Sequence, residues 1–416
     1  MDSDSFHRLL KLLIDSGEAS SILEALDTFS RYGVKIHLGR ESAYDISRQI
    51  VALTAINCAA RSFQGNVLIE GDDFELGVPG FEGTRLQAFL DWAGVKSRAL
   101  IEAESWPRIV INDERVARTD VLAWATGWDF GIGSSAPTGP VFAPACVAAG
   151  GLAVNEAFSM LRQDSPYAGH RAVHLSLWDP TSPFAKTATE YPPQDALWLI
   201  GLGHLGQAYA WTLGFLPPGS RPLFLQDVDV VGQSTLSTSM VSHASDLGRS
   251  KSRVVARWLE ARGYKTALIE RRFDEAQRVR SDEPCTALFG VDNAAARRVI
   301  EAAGFRLTID AGLGSGIADF RGMRVRTFPG PSKAATLWAA EPESRAPLAP
   351  AYRQLLKEGA EACGVTTLAT RAVGAPFVGC VAAGYVLAER IRRQVGGRGL
   401  GFVDFHLCQP EHVEAG

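Results

Sequence analysis

The residues with the clearest chemical purpose are Gly201-Leu202-Gly203-His204-Leu205-Gly206, which follow the apolar run Leu197-Trp198-Leu199-Ile200 and precede a helical pattern around Gln207–Leu213. A strand before the three glycines and a helix after them is the context that gives this spacing meaning. The first glycine, Gly201, permits a tight turn, Gly203 lets a phosphate approach the backbone, and Gly206 lets the helix pack on the strand. The helix start adds free N–H groups and the positive end of a dipole. His204 is expected to be a tolerated, exposed side chain. The next apolar run, Leu223-Phe224-Leu225, leads to Asp227-Val228-Asp229, where an acid would hold a ribose. At this point an NAD(P)-dependent oxidoreductase fits as well as any other nucleotide enzyme.

Further residues come in a fixed order. Asp227 and Asp229 lead to Ser234-Thr235-Leu236, then to Asp246-Leu247-Gly248-Arg249-Ser250-Lys251, then to Gly290-Val291-Asp292-Asn293-Ala294-Ala295-Ala296-Arg297. This series resembles the adenylation domain of the ThiF/MoeB and ubiquitin-activating-enzyme family. The family's motifs are Asp-x-Asp, Ser-Asn-Leu-x-Arg-Gln, Gly-x-x-Lys and Asp-Asn-x-x-x-Arg, and the resemblance covers about residues 195–395. It implies ATP and magnesium as cofactors. Asp227 or Asp229 would hold the ribose, Lys251 would neutralise phosphate and Asp292 would bind the metal, a hard ion that prefers oxygen. Forming an acyl-adenylate is mostly a matter of positioning and charge neutralisation. There is one departure: Thr238 stands where the family has its phosphate-binding arginine, and Thr235 replaces asparagine. Either Arg249 or Arg253 substitutes, or adenylation is weakened.

Tyr44-Asp45-Ile46-Ser47-Arg48-Gln49-Ile50 resembles the family's Tyr-Ser-Arg-Gln-Ile helix, with two residues inserted. In that family the arginine reaches across a dimer into the partner's ATP site, so the resemblance gives Arg48 a catalytic role. The run Asn66–Glu70 ends at Gly71, where a phosphate loop is expected. The chain instead reads Gly71-Asp72-Asp73-Phe74-Glu75-Leu76, with acids that repel phosphate, so this half is expected not to bind ATP. The string Cys-Val-Ala-Ala-Gly occurs at 146–150 and again at 380–384. Each copy opens a small-residue helix, which favours an internal duplication. The implied arrangement is a fused pseudo-dimer whose inactive half lends Arg48 to an active one.

Activators that go beyond adenylation capture the acyl group on a thiolate. The candidate is Cys363, in Glu361-Ala362-Cys363-Gly364-Val365, within an irregular proline-bearing stretch before the last helix. Cys146 and Cys380 read as small buried thiols. There is no Cys-x-x-Cys pair, and this moves the resemblance away from the zinc-bearing sulfur-carrier branch.

The elements that hold these residues alternate strand and helix, with near-continuous apolar strands, the pattern of a parallel sheet covered on both faces. The expected fold is α/β, with two Rossmann-like ThiF-type adenylation domains in tandem, the first degenerate. A helical N-terminal extension is expected over 1–40, the inactive unit over 41–165, a proline-rich linker over 166–193, and the active unit over 194–416 with a crossover segment at 312–374. A chain of 416 residues with 46% hydrophobic and 21% charged residues is globular rather than disordered. Its 42 Lys+Arg against 46 Asp+Glu argue against a nucleic-acid binder. No apolar run approaching the ~20 residues of a membrane span is expected, and the acidic start is unlike a signal peptide. With six scattered cysteines, the chain is expected to be cytoplasmic.

The resemblance therefore implies an enzyme that adenylates the C-terminal glycine of a small ubiquitin-like protein, and a composition rich in Ala and Arg with only 4 Met suggests a bacterial pathway. The enzyme would form a thioester on Cys363 and pass the protein to a ubiquitin-conjugating-like enzyme, with no membrane or nucleic-acid partner. Such pathways are associated with antiviral defence. The alternative is an adenylyltransferase acting on a sulfur carrier or peptide without a thioester.

Overall fold

A computed structural model describes residues 7–96, 103–111, 120–133, 139–182, 191–314, 316–339, 351–353 and 372–416. The first apolar segments form the short helices α1 (Leu10–Asp15) and α2 (Ile22–Ser30), as the 3.6-residue period predicts. The Ser21 side chain caps α2 by accepting from the Glu24 N–H. The helical expectation for the first forty residues fails at Val34-Lys35-Ile36-His37-Leu38. These residues alternate buried and half-buried and form strand β1 (Val34–Leu38), a period of two that the chain displays openly.

β1 lies inside a six-stranded sheet. Its spatial order is β2 (Val67–Glu70), β1, β3 (Arg108–Ile111), β4 (Val121–Thr126), β5 (Asp129–Ile132) and β6 (Val173–Ser176). The pairs among β2, β1, β3 and β4 are parallel, and β5 and β6 are added antiparallel. The sheet thus draws on strands outside the 41–165 span expected from sequence. The second sheet has at its core β8 (Leu223–Gln226), β7 (Leu197–Ile200), β10 (Thr286–Phe289) and β11 (Leu307–Leu313), all parallel. The antiparallel β12 (Gly322–Phe328) and β13 (Phe402–His406) follow. β9 (Thr266–Ile269) and β14 (Gln409–Ala415) form its two edges.

Strand for strand, β2-β1-β3-β4-β5-β6 repeats the order β8-β7-β10-β11-β12-β13. The two units are Rossmann-type sheets in tandem, and this correspondence corrects the reading of the front half. Gly71 follows the second strand of its unit, so it matches the position of Asp227 rather than that of Gly201. The segment equivalent to the glycine loop is Gly39–Asp45, between β1 and α3 (Ile46–Ser62). Arg48 therefore sits on the helix after the first strand, not on one that precedes it.

Between the sheets lie four helices. α3 packs on α5 (Ala143–Arg162), α5 on α11 (Pro376–Gln394), and α11 on α6 (His204–Leu213). The duplicated Cys-Val-Ala-Ala-Gly strings lie in α5 and α11 at their mutual contact. A β-carbon on Gly384 would come within 2.9 Å of Ala148 Cβ, and one on Gly151 within 2.7 Å of the Phe377 carbonyl oxygen. Glycine at these positions lets the two backbones close on each other, and any larger residue would force them apart. One apolar core runs through both units, and a second fills the far side of the second sheet around Trp198, Phe289 and Phe305. Contrary to expectation, the helix Ala143–Arg162 is long and apolar enough to span a membrane by length and composition. However, 89% of its most apolar window is buried, as in a core helix.

Candidate functional site

The second unit places its glycines at the carboxyl end of β7, between β8 on one side and β10 on the other. That is where the strand order reverses and doubly wound sheets bind ligands. Each glycine has its own reason to be glycine. Gly201 adopts φ +81°, and a β-carbon there would meet the Val291 backbone nitrogen at 2.9 Å. A β-carbon on Gly206 would meet the Gly201 carbonyl oxygen at 2.0 Å, so α6 can follow the turn only without one. Gly203 is different. No heavy atom lies within 4 Å of its β-carbon position, and the backbone there faces open space at the start of α6.

The acidic pair divides its work. Asp227 Oδ2 accepts from the Leu202 N–H at 2.6 Å and Oδ1 from the Asp229 N–H at 2.8 Å, so this carboxylate orders the loop itself. Asp229 is the exposed member, with a side chain 57% accessible, and it pairs with Lys251 Nζ at 3.0 Å. Lys251 opens α8 (Lys251–Glu260), and its own N–H donates to the Asp229 carbonyl at 3.0 Å. Beyond β10, Asn293 caps α9 (Ala294–Arg298) through the N–H groups of Ala295 and Ala296, so that role does not fall to Asp292, which is exposed. Lys251, Asp229 and Asp292 thus stand on strand or helix ends flanking the glycine loop.

Arg297 of the Asp-Asn-x-x-x-Arg motif is structural here. Its Nε donates to Asp310 at 3.1 Å and its Nη2 to the Ala311 carbonyl at 2.8 Å, tying α9 to β11. Burial pushes the Asp310 carboxyl up to about 6, against the pull of the Arg297 charge. Among the described residues, no cluster of three or more His, Cys, Asp or Glu side chains forms a metal cage.

The loop that departs from the family pattern is held from the other unit. Arg61, at the last turn of α3, is buried, and its Nη1 donates to the carbonyls of Leu236 and Ser242 at 3.1 and 2.9 Å. Its Nη2 donates to the Met240 carbonyl, which also accepts from Asn57. Thr238 sits inside this clamped loop, 1% exposed. Arg253 pairs with Glu270 at 3.1 Å, and Arg249 is exposed. Arg48 pairs with Glu41 and Asp45 at 3.5 and 3.6 Å beside the front unit's own crevice. Thirteen residues separate it from Arg61 on the same helix, roughly 20 Å at the usual rise. The end of α3 that reaches the back unit's loop is the Arg61 end.

His204 is not the exposed side chain expected. Its Nε2 would lie 2.6 Å from a β-carbon on Gly379 of α11, and burial, then the Arg8 charge, lowers its pKa to about 3. Cys58, Cys146 and Cys380 are buried, and burial pushes the Cys58 and Cys146 thiols up, the latter to about 12. Cys363 lies outside the described residues. Arg8 and Arg61 escaped the sequence reading because neither belongs to a motif.

Fold and cleft together define a two-lobed Rossmann-type protein in which only the second lobe carries a Gly-x-Gly-x-x-Gly loop. The chain belongs to the BilD family of bacterial E1-like proteins. Residues 33–177 match the BilD N-terminal domain and residues 193–397 the BilD C-terminal domain. The bacterial E1-like protein BilD of Collimonas sp. (strain OK412) is 35% identical over the whole of this chain and 94% of its own length. Among solved structures, Escherichia coli MccB aligns with 53% of this chain and 61% of its own at 14% identity, with a TM-score of 0.36. MccB with ATP aligns with 53% and 63% at 14% identity, with a TM-score of 0.35. The match thus spans about three-fifths of the MccB chain.

Proposed function

We propose that this chain activates the C-terminal glycine of a small ubiquitin-like protein, using ATP and magnesium in the second-unit cleft, and then carries it as a thioester. The observation that carries the reading is the open backbone at Gly203, between Lys251–Asp229 and Asp292, in a chain of an E1-like family. A nucleotide fits these residues. The N–H groups at the start of α6 would face phosphate, Asp229 would meet the ribose and Lys251 would offset negative charge. Asp292 would hold the magnesium ion, which when bound supplies further neutralisation of the phosphates. A single exposed carboxylate suits an ion that keeps most of its waters and takes phosphate oxygens.

In the first step a carboxylate oxygen of the substrate attacks the α-phosphorus, and the bond to the β-phosphate oxygen breaks, releasing pyrophosphate. The protein's part is to fix the two reactants in line and stabilise the charge. In the second step the Cys363 thiolate attacks the activated carbonyl, the acyl–phosphate bond breaks and AMP leaves. The thioester then passes to a conjugating enzyme.

ATP–pyrophosphate exchange with a β-grasp protein ending in glycine tests the first step. Exchange above background is expected, and its absence with every such protein encoded beside this chain would refute the reading. A thiol-reducible adduct lost in Cys363→Ser tests the second. An adduct that survives this substitution excludes Cys363 as its carrier.

A further inference from the structure

We propose that the N-terminal helix α1 is the seat of the stretch that carries Cys363, with Asp15 and Tyr352 as positioning residues for the thioester step. The inference rests on the thioester reading above and gives that step its fixed points. Tyr352 lies eleven positions before Cys363 and Gly374 eleven positions after it. Both of these bordering residues touch the N-terminal segment. The Tyr352 hydroxyl donates to Asp15 Oδ1 at 2.9 Å and accepts from Lys11 Nζ at 3.4 Å, and Lys11 pairs with the same Asp15. The Lys11 ammonium also lies 5.4 Å from the centre of the Tyr352 ring. At the other border, a β-carbon on Gly374 would stand 3.4 Å from Arg8 Cδ, 3.3 Å from Thr238 Cγ2 and 3.7 Å from His204 Nδ1. Gly374 is thus set between the residues before α1 and the first residue of α6.

The burial of α1 says that it is covered all round. Leu10, Lys11, Leu12, Leu13 and Ile14 are consecutive and all buried, whereas a helix lying on a surface buries one stripe. The front lobe holds it from one side. The His7 ring contacts Phe29 with centroids 4.9 Å apart, and its Nε2 lies 2.7 Å from the Arg61 carbonyl oxygen at the end of α3. Glu18, just beyond α1, pairs with Arg162 at the end of α5. Ala351 and Tyr352 are buried in the same apolar core and meet α1 through Lys11 and Asp15. A lysine only 4% exposed is tolerated because Asp15 offsets its charge and Tyr352 accepts from it. Burial and the Asp15 charge push the Tyr352 phenol well above its usual range, so its hydroxyl keeps the proton it donates. This contact is directional, since the ring must arrive with its hydroxyl towards Asp15. The borders of the Cys363 stretch are thereby referenced to α3 and α5, the helices packed between the two sheets. Thiolate attack on a bound adenylate gains from such positioning, whereas adenylation itself makes no use of it.

The test uses the full chain with MgATP and a β-grasp protein ending in glycine that is encoded beside it, and reads the two steps separately. ATP–pyrophosphate exchange reports adenylation, and the rate at which the thiol-reducible adduct on Cys363 appears reports the transfer. Tyr352→Phe deletes only the hydroxyl, Tyr352→Ala deletes the ring as well, and Asp15→Ala removes the acceptor on α1; thermal melting checks that each variant folds. Adduct formation is expected to slow at least tenfold in Tyr352→Ala and less in Tyr352→Phe and Asp15→Ala, with exchange unchanged within twofold. Adding Tyr352→Phe to Asp15→Ala should slow it no further, because both delete one contact. A folded Tyr352→Ala that forms the adduct at the wild-type rate overturns the proposal. So does exchange that falls in parallel with the adduct, which would mark a structural role only, or full additivity of the two substitutions. A wild type that exchanges pyrophosphate but forms no adduct on Cys363 defeats the thioester reading and this proposal with it, a different outcome from a wild type and variants that form it equally fast.

Discussion

Arg61 Nη1 donates to the Ser242 carbonyl at 2.9 Å, so a buried guanidinium of the first lobe holds the loop bordering the glycine cleft of the second. The same side chain reaches the carbonyls of Leu236 and Met240 and accepts help from Asn57 Oδ1, which takes its Nε–H at 2.8 Å. Burial lowers its pKa to about 10, and it remains charged at neutral pH. The degenerate lobe is a structural part of the cleft whether or not it binds anything.

Arg61→Met removes these donors and leaves the Leu236 and Ser242 carbonyls without the guanidinium, at about 1–3 kcal/mol each, while Met240 keeps Asn57. We expect a loss of about 3–5 kcal/mol in denaturant unfolding. Limited proteolysis should open the 236–242 loop first.

The glycines of the loop separate folding from binding. Gly206→Ala drives a β-carbon into the Gly201 carbonyl oxygen, and a lowered melting temperature is expected. Gly203→Ala meets nothing and sits at φ −82°, so the melting temperature should stay within about 2 °C. ATP affinity should nevertheless fall, because a methyl group would occupy the space in front of the backbone.

Asp310 gives a pH dependence of defined sign. Its carboxyl is raised to about 6 from an ordinary value of 3.8, so the native protein binds the extra proton between those values. Its contribution to stability is fully present below about pH 4, declines up to pH 6 and is flat above. Arg297→Met removes the charge that opposes the rise. The destabilisation should be larger at pH 8, where the carboxylate would be buried unpaired, than at pH 5, and chemical denaturation at both values measures the difference.

His7 has the opposite sign. Burial lowers its pKa to about 4, so the unfolded chain takes up a proton between 6.5 and 4 that the docked segment does not. The attachment of residues 7–9 should weaken as pH falls through that window and be complete above pH 6.5. Hydrogen exchange at Leu9 and Leu10 is the measurement, and His7→Phe should remove the pH dependence.

Much of this molecule can be read along the chain, because the signals concerned are short-range. The 201–206 glycine loop and Asp229, Lys251 and Asp292 lie where strand–turn–helix patterning places them, and the repeated Cys-Val-Ala-Ala-Gly string marks a real pairing of α5 with α11. β1 was legible too, in the two-residue alternation of 34–38, but the helical patterns on either side obscured it. Reading it as helix shifted the register of the first lobe by one strand, and with it the roles given to Gly71 and Arg48.

The sequence by itself determined the tandem α/β architecture and the place of the glycine loop in the second lobe. Apolar periodicity and glycine geometry are set by residues a few positions apart. Only the tertiary structure decided which side chains gather beside the glycine loop. Thr238 and His204 are 34 positions apart and Arg8 and Gly374 each lie more than 100 positions from either, so nothing in their local spacing couples them. Their meeting follows from the way two sheets close on four shared helices, a path that no window of the chain contains.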